Sequence, residues 1–300
     1  MKKNYSWMPT LCFDVVIPIF RVKTEWVDRC LRSVVNQTYA NRRIWVCDGT
    51  PEDSHLYEEV KRLIRSKYPE VEYVRQTGTG VSQARNQVAE MGSAPFIAFL
   101  DGDDWWDLEW LENARTWIQE NGFDDVATLV GYGQGKQMMK SMMSGREWEI
   151  DVQYHAHDYK SWNHKYHALY VRKHPIYPSF AIVSREGYEK VGGFDESIGI
   201  FEDTIFFFSL CGDVDGDDNS PHRVVRVDAL AGFKENHAEC SSGQGEQSGY
   251  FAQETSKGVS HCERVAYEKL NRMDIDSLDL DEPTKEYLKR FEIGGRITYS

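Results

Sequence analysis

Through the first hundred positions, short apolar runs alternate with segments in which apolar residues recur every three or four places. Asp14–Ile17 is β-branched and closed by Pro18, so a buried strand ending there is expected. Thr24–Val35 places Trp26, Val27, Leu31, Val34 and Val35 at helical spacing, with Thr24 as the expected N-cap. Ile44–Cys47 is a second strand, stopped by the turn signal Asp48-Gly49-Thr50-Pro51. Ser54–Tyr68 reads as a helix with Leu56, Val60, Leu63 and Ile64 on one face, Val71–Val74 as a strand, and Val81–Met91 as a helix. Phe96–Leu100 is a fourth strand that runs directly into Asp101-Gly102-Asp103-Asp104. Alternation at this pace predicts an α/β chain of βαβ units around a mostly parallel, Rossmann-like sheet flanked by helices. Ligands of such sheets bind beyond the carboxyl ends of the strands. Pro18, Asp48 and Asp101 all fall at such ends, so they are expected to converge on one crevice.

Past about residue 125 the alternation fades. Gly131–Gly145 reads as a flexible loop, and Asp151–His174 is dense in Tyr, His and Trp. Ser179–Ser184 is a strand, Arg185–Val191 a short helix, and Gly192-Gly193 a sharp turn. Thr204–Leu210 is apolar on all sides and therefore a buried element. The polar, Gly/Ser/Gln-rich stretch 240–258 reads as a loop or linker, and a helical tail follows from Val265. The expected organisation is a first half over 1–125, a second over 126–239, and a loop-and-helix extension over 240–300.

Composition narrows the partners. At 300 residues and 41% hydrophobic, the chain can bury a core as one large domain or two small ones. Its 48 acidic and 35 basic residues leave a formal charge of −13, which repels a nucleic acid or an anionic membrane on average, so nucleic acid is not an expected partner. The longest apolar runs, Phe96–Leu100 and Ile205–Cys211, fall far short of the ~20 residues that cross a bilayer. Any membrane contact is expected to be peripheral. The six cysteines form no Cys-x-x-Cys pair and read as reduced thiols of a cytoplasmic protein.

The strongest chemical signal is Asp101-x-Asp103-Asp104. Three carboxylates within four residues repel one another unless a cation compensates. Hard oxygen ligands favour Mn²⁺ or Mg²⁺, which commonly bridge protein carboxylates and substrate phosphates. An acidic solvated turn would have the same composition; placement at the end of an apolar strand favours the site. Trp105, Trp106, Tyr154, Tyr159, Trp162 and Tyr166 offer flat faces for stacking on a ligand ring, or for packing. Other signals are discounted. Gly78-Thr79-Gly80 lacks the third glycine of a phosphate fingerprint. Asp213–Asp218 lacks the glycine and glutamate of an EF-hand, and the spacing of His155, His157, His164 and His167 fits no closed zinc site.

Six segments, taken in order, resemble motifs of the family 2 glycosyltransferases. They are Asp14-Val-Val-Ile-Pro-Ile-Phe20, Val46-Cys-Asp48-Gly, Gly80-Val-Ser-Gln-Ala-Arg85-Asn86, Phe99-Leu-Asp101-Gly-Asp103-Asp104-Trp105, Gly192-Gly-Phe-Asp-Glu196 and Phe201-Glu-Asp203-Thr204. Each is weak alone; six collinear matches over about two thirds of the chain are specific. The resemblance implies a GT-A fold and a metal-dependent, inverting transfer of sugar from a nucleotide-sugar donor, by family habit a UDP-sugar, to a glycan or other hydroxyl acceptor.

It also implies roles. Asp48 would receive the donor base, with the backbone of Pro18, Ile19 and Phe20 lining that pocket, and a carboxylate suits a uracil N–H because it only accepts. Arg85 would lie near the nucleotide and diphosphate. Asp101 would contact the ribose beside Gly102, Asp103 would ligate the metal, and Asp104 would support it from behind. Asp203 would be the general base, with Glu202 beside it, taking the acceptor proton as the hydroxyl attacks the anomeric carbon. Asp203 also suits an N-cap. His237, in Phe233-Lys-Glu-Asn-His237, stands where relatives carry a histidine on the metal or diphosphate.

Two rival classes remain on the sequence. A sugar nucleotidyltransferase also needs a Rossmann-like sheet and Mg²⁺, but its glycine-rich basic loop is missing from Pro18-Ile-Phe-Arg-Val-Lys23. A non-catalytic carbohydrate- or partner-binding protein would not need Asp48, Asp101, Asp103 and Asp203 together.

Overall fold

β1 (Phe13–Ile19) is buried along its whole length, between β2 (Arg42–Asp48) and β4 (Phe96–Phe99), both parallel to it. These strands belong to a computed structural model that describes residues 11–124, 126–140, 147–154, 176–197, 202–210, 223–235 and 282. The period-two alternation of β1 sets up the layers. Phe13, Val15, Ile17 and Ile19 pack with residues of α1 (Thr24–Val35), α2 (His55–Lys67) and α4 (Trp110–Asn121). Val16 packs in a second cluster with residues of α3 (Val81–Met91), α5 (Arg185–Val191) and α6 (Glu202–Leu210). Helices therefore cover both faces of the sheet.

Nine strands are present among the described residues, in the order β3-β2-β1-β4-β8-β6-β9-β5, with β7 paired to β6. Here β3 is Val71–Arg75, β5 Trp105–Trp106, β6 Val126–Lys140, β7 Glu147–Tyr154, β8 Ala181–Ser184 and β9 Arg223–Glu235. The expected α/β architecture is found, with strand–helix alternation through β4. The four strands from β3 to β4 are parallel; beyond them the sheet is mixed, with β8 antiparallel to β4 and to β6, and β6 parallel to β9.

Several local expectations change. Pro18 does not close β1, which continues to Ile19. Val16 O accepts from Leu100 N–H on the β4 side, while Ile19 O accepts from Gly49 N–H on the β2 side. Pro18 thus faces the β4 side after that pairing has ended, where its missing N–H breaks no ladder. Thr24 is not an N-cap; it lies within α1 and donates its hydroxyl to Glu59 Oε2 at 3.0 Å. Gly131–Gly145 was expected to be a loop, but up to Lys140 it lies in β6, paired with β9 and β7. Gly131 is required by close approach: a Cβ there would sit 2.1 Å from the Trp110 ring and 2.5 Å from Leu230 O. The stretch 240–258, all of 155–174 and the tail from Val265 apart from residue 282 lie outside the described residues. No helix among the described residues is long and apolar enough to cross a membrane.

One tie between α1 and α2 yields a prediction. Asp28 accepts from Arg32, Lys67 and the Tyr68 hydroxyl. Burial pushes its carboxyl up, but the hydrogen bonds from Lys67, Tyr68 and Arg32 outweigh that and hold it at about 2. The folded value lies below the unfolded one, so this stabilisation is present above about pH 4 and is lost as pH falls toward about 2. In urea melts across that window, Asp28→Asn should flatten the fall in stability; an unchanged slope would show that the tie contributes nothing.

Candidate active site

The Asp-Gly-Asp-Asp turn follows β4 at once and is closed by Asp104 N–H donating to Asp101 O at 3.0 Å. Gly102 lets it lie directly on the end of β1: a Cβ there would be 2.3 Å from Ile19 Cγ2 and 3.3 Å from Pro18 O. Asp101 N–H donates to Ser179 Oγ at 3.1 Å, from the 3₁₀ turn Pro178–Phe180 that leads into β8.

Arg85, on α3, is only 3% exposed and joins two distant segments. Its Nη2 donates to Asp101 Oδ1 at 2.7 Å and its Nη1 to Glu202 Oε1 at 2.9 Å. A single guanidinium therefore spans the end of β4 and the start of α6. Its next neighbour, Asn86, donates to Phe194 O and Glu196 Oε1 and accepts from Phe194 N–H and the Tyr188 hydroxyl. Asn86 pins the Gly192-Gly193 turn, whose φ values of +76° and +74° favour glycine. Four of the collinear motifs meet because Arg85 and Asn86 tie three of them to their own.

Electrostatics follow from this packing. Burial alone would raise the Asp101 carboxyl, but Arg85, Lys234 and Ser179 outweigh it and hold it below the ordinary range. Burial and the neighbouring Asp203 push Glu202 up to about 7 against the pull of Arg85. Asp203 is also raised, first by burial, against Arg85 and the Thr204 N–H, which donates to Asp203 Oδ1 at 2.6 Å. The second Asp203 oxygen has no hydrogen-bond partner among the described residues. Asp203 lies inside the first turn of α6, past the N-cap position.

Asp48 ends β2 in register with Ile19 and Arg75. Its carboxylate is fully buried: Oδ1 accepts from Thr50 N–H at 2.7 Å and Oδ2 from the Tyr73 hydroxyl at 2.7 Å. Arg75 donates to the carbonyls of Asp48 and Thr50, and Arg21 N–H donates to Thr50 Oγ1. Asp48 thus organises the floor of this end of the sheet and offers no open oxygen. Phe20, 61% exposed, presents its ring at the rim beside Arg21, whose φ of 54° is unusual for a non-glycine residue.

Asp104 and the two tryptophans play parts that composition did not reveal. Asp104 is fully buried; Oδ1 accepts from Glu235 N–H at 2.9 Å, and Oδ2 lies 3.4 Å from Lys234 Nζ. Burial, with Asp103 and Asp101, pushes it up to about 7 against Lys234. Trp106 cannot stack on a sugar. It is 2% exposed, donates its indole N–H to Ser179 O and stacks on Trp110 at 5.1 Å. Trp105 remains partly open, with its ring stacked on Phe233 at 5.3 Å. His237 lies outside the described residues, as do Tyr159, Trp162 and Tyr166. Ser179, Lys234 and Glu235 carry no motif and were missed; only their place beside the Asp101 turn in space identifies them.

No three His, Cys, Asp or Glu side chains gather into a metal cage among the described residues. The turn instead offers Asp101, with a side chain 27% exposed, and Asp103, half-buried, while the oxygens of Asp104 are already engaged. Two hard-oxygen donors at a partly open turn suit a cation whose remaining ligands are phosphate oxygens and water. The residues present fit such an ion.

Comparison with known proteins agrees with this fold. The profile of Glycosyl transferase family 2 matches residues 14–192. An uncharacterized glycosyltransferase of Rickettsia bellii is 33% identical over 111 residues, which is 37% of this chain and 15% of that protein's length. Among solved structures, S. aureus TarS (residues 1–349, in complex with UDP) has a TM-score of 0.55 at 16% identity, covering 92% of this chain and 69% of that one. The Pyrobaculum calidifontis mannosyltransferase PcManGT, in complex with GDP-Man and Mn²⁺, has a TM-score of 0.55 at 14% identity, covering 92% and 68%.

Removing Arg85 leaves Asp101 and Glu202 uncompensated in a buried setting. Arg85→Met is expected to cost about 3–5 kcal/mol in urea unfolding at pH 8. The cost should shrink at pH 6, where Glu202, raised to about 7, takes up a proton. An equal cost at both pH values would separate Glu202 from the pair.

Proposed function

The chain belongs to glycosyl transferase family 2, and from that membership we propose that it moves a sugar from a nucleoside diphosphate sugar to an acceptor hydroxyl with inversion. The observation that carries this reading is the Arg85 bridge, which brings the Asp101 turn and the Glu202-Asp203 pair within the span of one guanidinium. A donor held at the turn and a base at the head of α6 would then lie at one site, the proximity that direct displacement requires.

In this reading Phe20, with the Pro18–Ile19 backbone, takes the base, and Gly102 allows the ribose and diphosphate to approach β1 closely. Asp48 shapes that pocket through Thr50 and Tyr73. Asp101 and Asp103 would hold Mn²⁺ or Mg²⁺, with His237 as a further ligand. The cation, when bound, stabilises the negative charge that develops on the leaving diphosphate. Arg85 keeps Asp101 ionised and oriented. Asp203, raised by burial, accepts the proton of the acceptor hydroxyl as its oxygen attacks the anomeric carbon. Glu202, paired to Arg85, fixes the first turn of α6. Relatives of this fold carry UDP or GDP-Man, which supports a nucleotide sugar as donor; a UDP-sugar is the first to test. The acceptor is a glycan or another hydroxyl compound, and the setting is cytoplasmic, with any membrane contact peripheral.

Asp203→Asn should lower the transfer rate about 10²–10⁴-fold while leaving UDP binding intact. Transfer at the normal rate, with radiolabelled donor and hydroxyl acceptor, would reassign the base. Asp103→Asn should abolish the additional rise in melting temperature that Mn²⁺ gives in the presence of UDP, because stabilisation follows affinity for the folded state. A shift equal to that of the unaltered chain would move the cation elsewhere.

A further inference from the structure

We propose that Arg29, on α1, is a positioning residue that fixes Asp103 against the end of β9 and so sets the affinity of the turn for its divalent cation. This rests on the reading of the turn given above.

Two ion pairs end on the last two residues of β9, one from the turn and one from α1. Asp104 pairs with Lys234 and accepts from Glu235 N–H, while Arg29 Nη2 donates both to Glu235 Oε2 at 2.6 Å and to Asp103 O at 3.1 Å. The antiparallel pairing of β5 with β9 joins the same two segments: Trp105 is in register with Phe233 and Trp106 with Gly232, and Asp107 N–H donates to Ala231 O. The Arg29 guanidinium lies 3.6 Å from the centre of the Trp105 ring, which in turn stacks on Phe233. Arg29 therefore touches the turn, the strand after the turn and the end of β9 at once.

The contact with Asp103 O is the informative one. The carbonyl of Asp103 belongs to the peptide that follows the proposed ligand, so fixing it limits the φ/ψ pairs from which the carboxylate can project. Asp101 is held by Arg85 and Ser179, Gly102 by β1, and Asp104 by Lys234 and Glu235. Arg29 supplies the corresponding restraint at Asp103. Its side chain is 33% exposed and that of Glu235 28%, and ion pairs this open add little to global stability. Their fixed stacking and shared donor atom fit a local task better. Outer partners of this kind typically change metal affinity 10–100-fold when removed.

The test is Mn²⁺ titrated into the full chain saturated with UDP, with free Mn²⁺ followed by electron paramagnetic resonance. Arg29→Met, which keeps the stem and loses the guanidinium, should weaken Mn²⁺ binding 10–100-fold while UDP affinity without metal stays within twofold. Arg29→Lys, which keeps the charge but not the planar fork, should recover part of the loss. Mn²⁺ affinity within twofold of the unaltered chain in Arg29→Met overturns the proposal. Should that variant not fold, Glu235→Gln decides instead: weaker Mn²⁺ binding supports the clasp, and unchanged binding overturns it. If the unaltered chain takes up no Mn²⁺ with UDP, the assignment of the turn itself fails, an outcome distinct from variants that bind as well as their parent.

Discussion

One buried guanidinium, that of Arg85, makes the rest of the site possible. Asp101, Glu202 and Asp203 come from two segments more than a hundred positions apart, and each would resist burial beside the others. Arg85 is always charged, its planar fork reaches two carboxylates at once, and its place on a buried helix leaves it no alternative partner in water. The ring of Phe194 lies 5.1 Å from it, so the turn held by Asn86 also faces the same cation. Charge balance and chain geometry are the same fact here: where Arg85 goes, the two segments must follow.

The scaffold under this arrangement is the register of β1 with its neighbours. Ile19 stands beside Asp48, Asp48 beside Arg75, and β4 ends level with Val16, so the loops leave the sheet along one edge. Gly102 then closes the distance between two of these edges, because no side chain intervenes against Ile19. Another buried ion pair, Asp14 with Arg185 at 2.7 Å, lies at the start of β1. There Asp14 also accepts from the Trp45 indole and Ala94 N–H, so a residue within a family motif serves the frame and not the chemistry.

The first hundred residues were legible because β1 and β4 are buried on both faces and the helices carry one apolar stripe, patterns that one sequence displays. The turn at Asp101 was legible for the same reason: four acidic or glycine positions after Phe96–Leu100 have few uses. What failed to show were features decided by distant neighbours. From Gly131 onward β6 looked like a loop because its three glycines disfavour a strand, and the reason for Gly131 is the Trp110 ring on another element. Trp106 looked like a platform for a sugar, yet its indole N–H had a partner in Ser179, more than seventy positions away. Asp48 was placed correctly in the chain, but that Tyr73 and Thr50 would occupy its oxygens depends on the register of β2 with β3. Local pattern reports which edge a residue occupies; only the third dimension reports what already touches it.

The sheet runs without interruption from β3 to β9, and its middle strands β4, β8 and β6 are hydrogen-bonded to one another. The parallel strands from β3 to β4 and the mixed strands beyond them are thus a single hydrogen-bonded slab among the described residues. Such a frame cannot open and shut like two jaws; any adjustment is left to the loops and helices around it. Sequence change in those loops can therefore proceed while Arg85 keeps the Asp101 turn and the head of α6 together.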